Sequence, residues 1–280
     1  MLLAGDNLKL VQDTKAALQQ TFKMKDLGEL KYFFGIEFAR SKQGILMHQR
    51  KYSLELISEL GLAASKPINT LIDTSIKLTT REFDEHFSKT NLAEDELLAY
   101  QAKKTHMEAA LRIVRYIKSQ PGQGILLSSN NNETVTAFCD ADWVACPHTR
   151  KSITWYLIEV GDSLVSWNSK KQSIISRSSA EVEYRSLAST VAELTWLLGL
   201  MKEIDVKIDQ PVTIFCDNKV AIQMPANPVY HERTKHIEID CHFIREKIQQ
   251  GMVKTEYIPT KEQPADMFTK GLNRVCNISI

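Results

Sequence analysis

The sequence predicts an α+β/α/β fold, a mixed sheet with helices packed on it, and three observations carry that expectation. The second half of the chain orders as three strands, a long helix, a strand, helices, a strand and a last helix. Two of those strands end alike, in Thr136-Ala137-Phe138-Cys139-Asp140 and Thr213-Ile214-Phe215-Cys216-Asp217. Residues 181–204 keep Tyr184, Leu187, Ala188, Val191, Leu194, Leu198 and Met201 on one side, the stripe of an amphipathic helix.

The first half supplies its own elements. Residues 6–22 read as a helix, with Asp6-Asn7 as its cap and a loose stripe of Leu8, Val11, Ala16 and Leu18. Residues 30–38 alternate as a half-buried strand, and 45–48 are its hairpin partner across Ser41-Lys42-Gln43-Gly44. Residues 52–60 form a helix ended by Gly61. Residues 65–95 hold scattered Thr, Asn and Pro and a charged run at 81–85, which marks a loop or linker. Helical spacing returns over 97–117 and stops at Pro121-Gly122.

The strands of the second half are expected at 125–127, 135–139, 152–160, 163–167, 212–216 and 253–258. Short helices are expected at 219–224 and 237–250, with a last one near Pro264. No repeat of 20–50 residues is visible.

At 280 residues the chain is comfortable for two domains. Its 43% hydrophobic and 25% charged shares exclude a disordered, collagen-like or coiled-coil chain. A net charge of +1 gives no global attraction to nucleic acid or lipid, so any such binding needs local basic patches. Five cysteines without a C-x-x-C pair indicate neither a zinc site nor a disulfide framework, and a reducing compartment fits them. No apolar run reaches about 18 residues and the start is too short for a signal peptide, so a cytoplasmic or nuclear chain without membrane partners is expected.

The chemistry lies in the acids. An aspartate ending a buried strand costs desolvation unless it meets a cation or donors, although either one alone is explained by a turn or a cap. Glu181 and Glu183 open the long helix behind Ser178-Ser179, where an acid is also an ordinary cap, and Asp266 sits near the start of the last helix. The apolar stripe places Glu183 slightly nearer the buried face, without deciding between the two. Together these carboxylates, with no His or Cys ligands, form a hard-oxygen set suited to Mg²⁺ or Mn²⁺. Cys139 and Cys216 read as inert core thiols, and Trp143, Trp167 and Trp196 as core.

The residues also carry a resemblance. Phe138-Cys139-Asp140-Ala141-Asp142-Trp143, Ser166-Trp167-Asn168-Ser169-Lys170-Lys171-Gln172 and Ser178-Ser179-Ala180-Glu181-Val182-Glu183-Tyr184 occur in order, followed by Cys216-Asp217-Asn218. Then come Asn227-Pro228-Val229-Tyr230-His231-Glu232-Arg233-Thr234-Lys235-His236-Ile237 and Ala265-Asp266-Met267-Phe268-Thr269-Lys270. This series resembles the ribonuclease H region of copia-type retrotransposon Pol polyproteins. Met24-Lys25-Asp26-Leu27-Gly28-Glu29-Leu30-Lys31-Tyr32-Phe33-Phe34-Gly35-Ile36 and Gln49-Arg50-Lys51-Tyr52 resemble the end of that family's reverse transcriptase palm and the start of its thumb.

The resemblance implies a ribonuclease H-like mixed five-stranded sheet with flanking helices over 124–272. Residues 1–79 would be a truncated reverse transcriptase palm/thumb remnant, and 80–123 a degraded linker and connecting helix. It implies two Mg²⁺ ions, or Mn²⁺, held by Asp140, Glu183, Asp217 and Asp266, with Asp140 bridging and Asp142 serving a turn. The implied partners are an RNA/DNA hybrid and the remaining parts of a Pol polyprotein. The implied activity is hydrolysis of the RNA strand, with no polymerase activity, because the family's polymerase aspartate pair would precede Met1. Lys170, Lys171, Arg177, Arg233 and Lys235 are expected at phosphates, against the alternative of a solvated surface. His231 and His236 lie in the same basic cluster as the last two and are expected at phosphate or in a structural role.

Relatives usually have Gly where Ala145 and Trp155 stand, and many ribonucleases H keep a His shortly before the last aspartate, which 258–266 lacks. If position 145 needs a positive φ, Ala is unfavourable there; if 155 packs against backbone, Trp overfills it. These departures keep open a non-catalytic, nucleic-acid-binding relic. Another phosphoryl transferase of the same fold, such as an integrase, is disfavoured by the helix Glu directly after three strands and by the late fourth acid.

Overall fold

The computed structural model describes residues 8–22, 24–71, 73, 78, 92–130, 132–146, 148–224 and 238–264, of which 92–103 and 238 are described by backbone alone. The expected cap at residues 6–7, the last helix near 264 and its Asp266, and Arg233 and Lys235 fall outside these residues.

The chain begins with α1 (Leu8–Thr21), which buries none of its residues. A four-stranded antiparallel sheet follows, ordered β1 (Tyr32–Phe33), β2 (Ile36–Ser41), β3 (Gly44–His48) and β4 (Gly124–Ser128). The single strand expected over 30–38 is instead a hairpin. Phe34 and Gly35 both take positive φ (47° and 84°), and Phe33 pairs with Ile36 across this two-residue turn. Positive φ at both central residues matches the right-handed twist of the flanking strands, so the turn overrides the alternation. α2 (Arg50–Glu59) ends at Gly61 as expected.

α3 (Leu92–Ile117) starts five residues before the expected helix, inside the stretch read as loop. It anchors the segment before it through Lys118, whose Nζ donates to the carbonyls of Leu62, Ala63 and Ser65. β4, which the sequence groups with the C-terminal strands, pairs instead with β3, from Gly44 opposite Ser128 to His48 opposite Gly124. Gly44 makes this approach possible: a Cβ there would fall on the Leu127 carbonyl.

The second sheet has the order β7-β6-β5-β8-β9, built from β5 (Val135–Asp142), β6 (Ile153–Val160), β7 (Ser163–Lys171), β8 (Val212–Cys216) and β9 (Val253–Tyr257). β5, β6 and β7 are antiparallel neighbours, while β8 lies parallel to both β5 and β9. This is the ribonuclease H-like mixed five-stranded sheet that the resemblance implies. α4 (Ser179–Glu203) crosses it, and α5 (Lys219–Gln223) and α6 (Glu238–Gln249) join β8 to β9. The core lies between α4 and the sheet: Leu187, Val191 and Leu194 meet Ala137, Cys139, Ile158, Ile214 and Cys216, all fully buried.

Three tryptophans expected in the core are exposed instead: Trp143 and Trp167 at 49% and Trp196 at 61%. Trp196 stands two residues from Leu194, about 200° around the helix and so away from the sheet. Trp143 follows the end of β5, and Trp167 sits where β7 runs out past the core, its later residues all exposed. The buried indole belongs to Trp155. The positive φ considered for Ala145 falls on its neighbour Val144 (57°), a costly conformation for a β-branched residue.

Candidate metal centre

β5 and β8 run parallel side by side with Cys139 opposite Cys216, so Asp140, still paired with Trp155 of β6, and Asp217, just past the end of β8, lie at the same end of the sheet. Phe138 and Phe215 stack on the other side of the pair, with ring centroids 5.4 Å apart. α4 starts at that same end. Ser178 caps it, its hydroxyl accepting from the Glu181 N–H, so the helix's first turn faces the two strand ends.

Within that turn the two glutamates differ. Glu181 is 4% exposed, yet its carboxylate is satisfied at both oxygens: Arg177 N–H donates to Oε2 at 2.9 Å and the Arg185 guanidinium to Oε1 at 3.2 Å. Glu183 is 7% exposed, and its Oε2 is buried with no hydrogen-bond partner. Burial first, then the charge of Asp140, then Cys216 and Asp217, pushes the Glu183 carboxyl up to about 10, while the Ala141 N–H pulls it partly back.

Oxygen or sulfur atoms of Glu183, Cys216 and Asp217 all lie within 4.8 Å of one another. Asp217 is half-buried, and its Oδ2 accepts from the Thr260 hydroxyl at 2.7 Å. Asp140, 6% exposed, sits beside Glu183; its Oδ1 accepts from the Ala141 N–H at 2.7 Å. Three of the four expected acids are thus brought to one end of the sheet, and the fourth, Asp266, lies outside the described residues. A buried carboxylate oxygen without a donor, beside two further carboxylates, fits a divalent cation, which would neutralise what burial otherwise forces to stay protonated.

Sequence reasoning missed three supporting groups. The Ser186 hydroxyl, fully buried, lies between the carbonyls of Asp140 (2.8 Å) and Trp155 (2.9 Å) and ties α4 to β5 and β6. Gln263 is 4% exposed and donates from Nε2 to the Cys139 carbonyl at 2.9 Å, which holds the chain after β9 against the end of β5. Cys216 is a fully buried core residue as expected, and its Sγ in addition lies within 4.8 Å of the Glu183 and Asp217 carboxylates. Only its position next to Asp217 in sequence hinted at this, and strand alternation argues the other way.

Of the basic residues, Lys170, Lys171 and Arg177 are described and exposed. β7 runs past its expected end at Trp167 to Lys171, so both lysines are strand residues. Through β6 the register runs from Asp140 to Trp155 to Ser169, which puts Lys170 and Lys171 at the acidic end of the sheet, two strands away. Lys171 Nζ lies 3.2 Å from Cys146 Sγ, whereas among the described residues Lys170 has no such side-chain tie. Among the described residues no helix is long and apolar enough to cross a membrane.

Residues 1–74 match the family model of reverse transcriptase (RNA-dependent DNA polymerase). The chain is 36% identical to the retrovirus-related Pol polyprotein from transposon RE2 of Arabidopsis thaliana, over 98% of this chain and 20% of that protein. It is 35% identical to the corresponding polyprotein from transposon RE1 of the same plant, again over 98% of this chain and 20% of the relative. The chain therefore spans about a fifth of the length of these relatives. Among solved structures, LC11-RNase H1, isolated from compost by a metagenomic approach, aligns with a TM-score of 0.35 and 15% identity, over 48% of this chain and 91% of that one.

Proposed function

We propose, for a chain that belongs to the family of retrovirus-related Pol polyproteins of copia-type transposons, that residues 124–272 are a metal-dependent endonuclease that hydrolyses the RNA strand of RNA/DNA hybrids. Residues 1–79 and 80–123 are the reverse transcriptase remnant and its linker, and they lend β3 as the partner of β4. The observation that carries the reading is Glu183 Oε2, buried and unpartnered on a side chain that feels the charges of both Asp140 and Asp217. A purely structural glutamate at this place would have its charge answered, as Glu181 has.

Asp140, Glu183, Asp217 and Asp266 are the ligands in this reading, for two Mg²⁺ ions or Mn²⁺. When bound, such ions activate a water and stabilise the leaving oxygen of a phosphodiester. The chain's own residues do the rest. Ser186 and Gln263 fix the end of β5, and Thr260 orients Asp217, so the acids keep their separation. Lys170, Lys171 and Arg177, with Arg233 and Lys235, contact phosphates and set the register of the hybrid, whose 2′-hydroxyls distinguish RNA from DNA. The same hybrid and the other parts of a Pol polyprotein are the proposed partners.

Trp155 favours a second reading, a non-catalytic relic that binds nucleic acid. It is the strand partner of Asp140, and its indole Nε1 is buried without a hydrogen-bond partner. The deciding experiment incubates the chain with a labelled RNA/DNA hybrid and Mg²⁺. Cleavage that Asp140→Asn abolishes supports the enzyme; folded wild-type protein that binds the hybrid without cutting it supports the relic.

A further inference from the structure

We infer that Glu183, Cys216 and Asp217 form a mixed oxygen–sulfur pocket that takes a thiophilic divalent cation such as Cd²⁺ or Zn²⁺, and that this ion excludes Mg²⁺ by occupying the same two carboxylates. The inference deepens the reading of this site and rests on it for the competition with Mg²⁺ alone.

Geometry is the first ground. Ligand atoms of the three side chains lie within 4.8 Å of one another. A tetrahedral ion with oxygens at about 2.1 Å and sulfur at about 2.3 Å needs them roughly 3.4–3.6 Å apart, a closure of about an ångström by side-chain rotation. Glu183 Oε2 is the second, independent ground: it is buried and unpartnered, and so lacks the partner an ion would supply. The donor set is the third. Carboxylate oxygens alone select hard cations, whereas one thiolate among them selects Zn²⁺ or Cd²⁺.

Cys216 is also placed for the task by its neighbours. Its Sγ is in long contact with the Asn218 backbone, 3.5 Å from the N–H and 4.0 Å from the carbonyl oxygen, and it lies beside the Cys139 thiol. Cys139 alongside is held as a neutral thiol by its hydrogen bond with Cys216 and by burial, so it is a spectator. Binding forms one sulfur–metal bond, and the thiol proton passes to solvent.

The test uses the full chain carrying Cys146→Ser and Cys276→Ser, stripped of metal and titrated with CdCl₂. Ultraviolet thiolate-to-cadmium charge transfer is read, with circular dichroism as the check on folding. A saturable band of one equivalent is expected, absent in Cys216→Ser, with the midpoint at least tenfold weaker in Glu183→Gln. Millimolar Mg²⁺ should move the midpoint to higher Cd²⁺. No band in the parent protein, or an unchanged band in Cys216→Ser, overturns the pocket. Should Cys216→Ser fail to fold, Glu183→Gln decides, and cadmium binding as tight as the parent's overturns it. A midpoint indifferent to Mg²⁺ overturns the competition. Hybrid cleavage without the band sinks this inference alone, and a band without cleavage sinks only the hydrolytic reading.

Discussion

Glu181 and Glu183, two residues apart on α4 and both more than nine-tenths buried, have opposite fates: both oxygens of the first are hydrogen-bonded, while Oε2 of the second has no partner. Their substitutions should therefore separate. Glu181→Gln removes a buried ion pair with Arg185 and weakens the bond to the Arg177 N–H, and should cost about 3 kcal/mol in urea unfolding. Glu183→Gln should lower hybrid cleavage by at least a hundredfold with no loss of stability. Equal effects of the two on cleavage would remove the distinction.

The pH dependence of stability follows from Glu183. Its folded-state carboxyl is raised from 4.5 to about 10, so between these values the folded chain holds a proton that the unfolded chain has released. Stability contributed by that proton is full below pH 4.5 and declines as pH rises towards 10. Without divalent ions, the melting temperature should thus fall from pH 6 to pH 9, and Glu183→Gln should flatten the slope. Mg²⁺ at high pH should restore several degrees, because it binds the folded carboxylates. A metal-free protein whose pH slope is unchanged by Glu183→Gln would contradict this.

Ser186 ties the site together through one hydroxyl against two carbonyls. Ser186→Ala leaves buried acceptors at Asp140 and Trp155 and should cost about 1–3 kcal/mol, read by chemical denaturation. Because the Asp140 backbone loosens, the Mg²⁺ concentration for half-maximal cleavage should rise as well. A variant that is less stable but has the same Mg²⁺ requirement would confine Ser186 to the core.

Phosphate contacts predict a graded response at the basic edge. Lys170→Ala and Arg177→Ala should each weaken hybrid binding independently of sequence and reduce the slope of log affinity against log salt by about 0.9. Lys171→Ala should do less, since its ammonium already contacts Cys146 Sγ. Filter binding at four salt concentrations measures this, and unchanged slopes for Lys170→Ala would return that residue to the solvated surface.

What the sequence by itself determined is local. The alternation of β5 and β8, the stripe of α4, the Ser178 cap and the acids at two strand ends depend on residues a few positions apart, where spacing and propensity act directly. The tertiary structure alone decided which strands are neighbours and what each buried group meets. It gave β4 to the first sheet, turned Trp196 outward, answered Glu181 with Arg185 and left Glu183 Oε2 unanswered beside Cys216. Desolvation and pairing depend on atoms brought together from distant parts of the chain, and no periodicity in one segment encodes them.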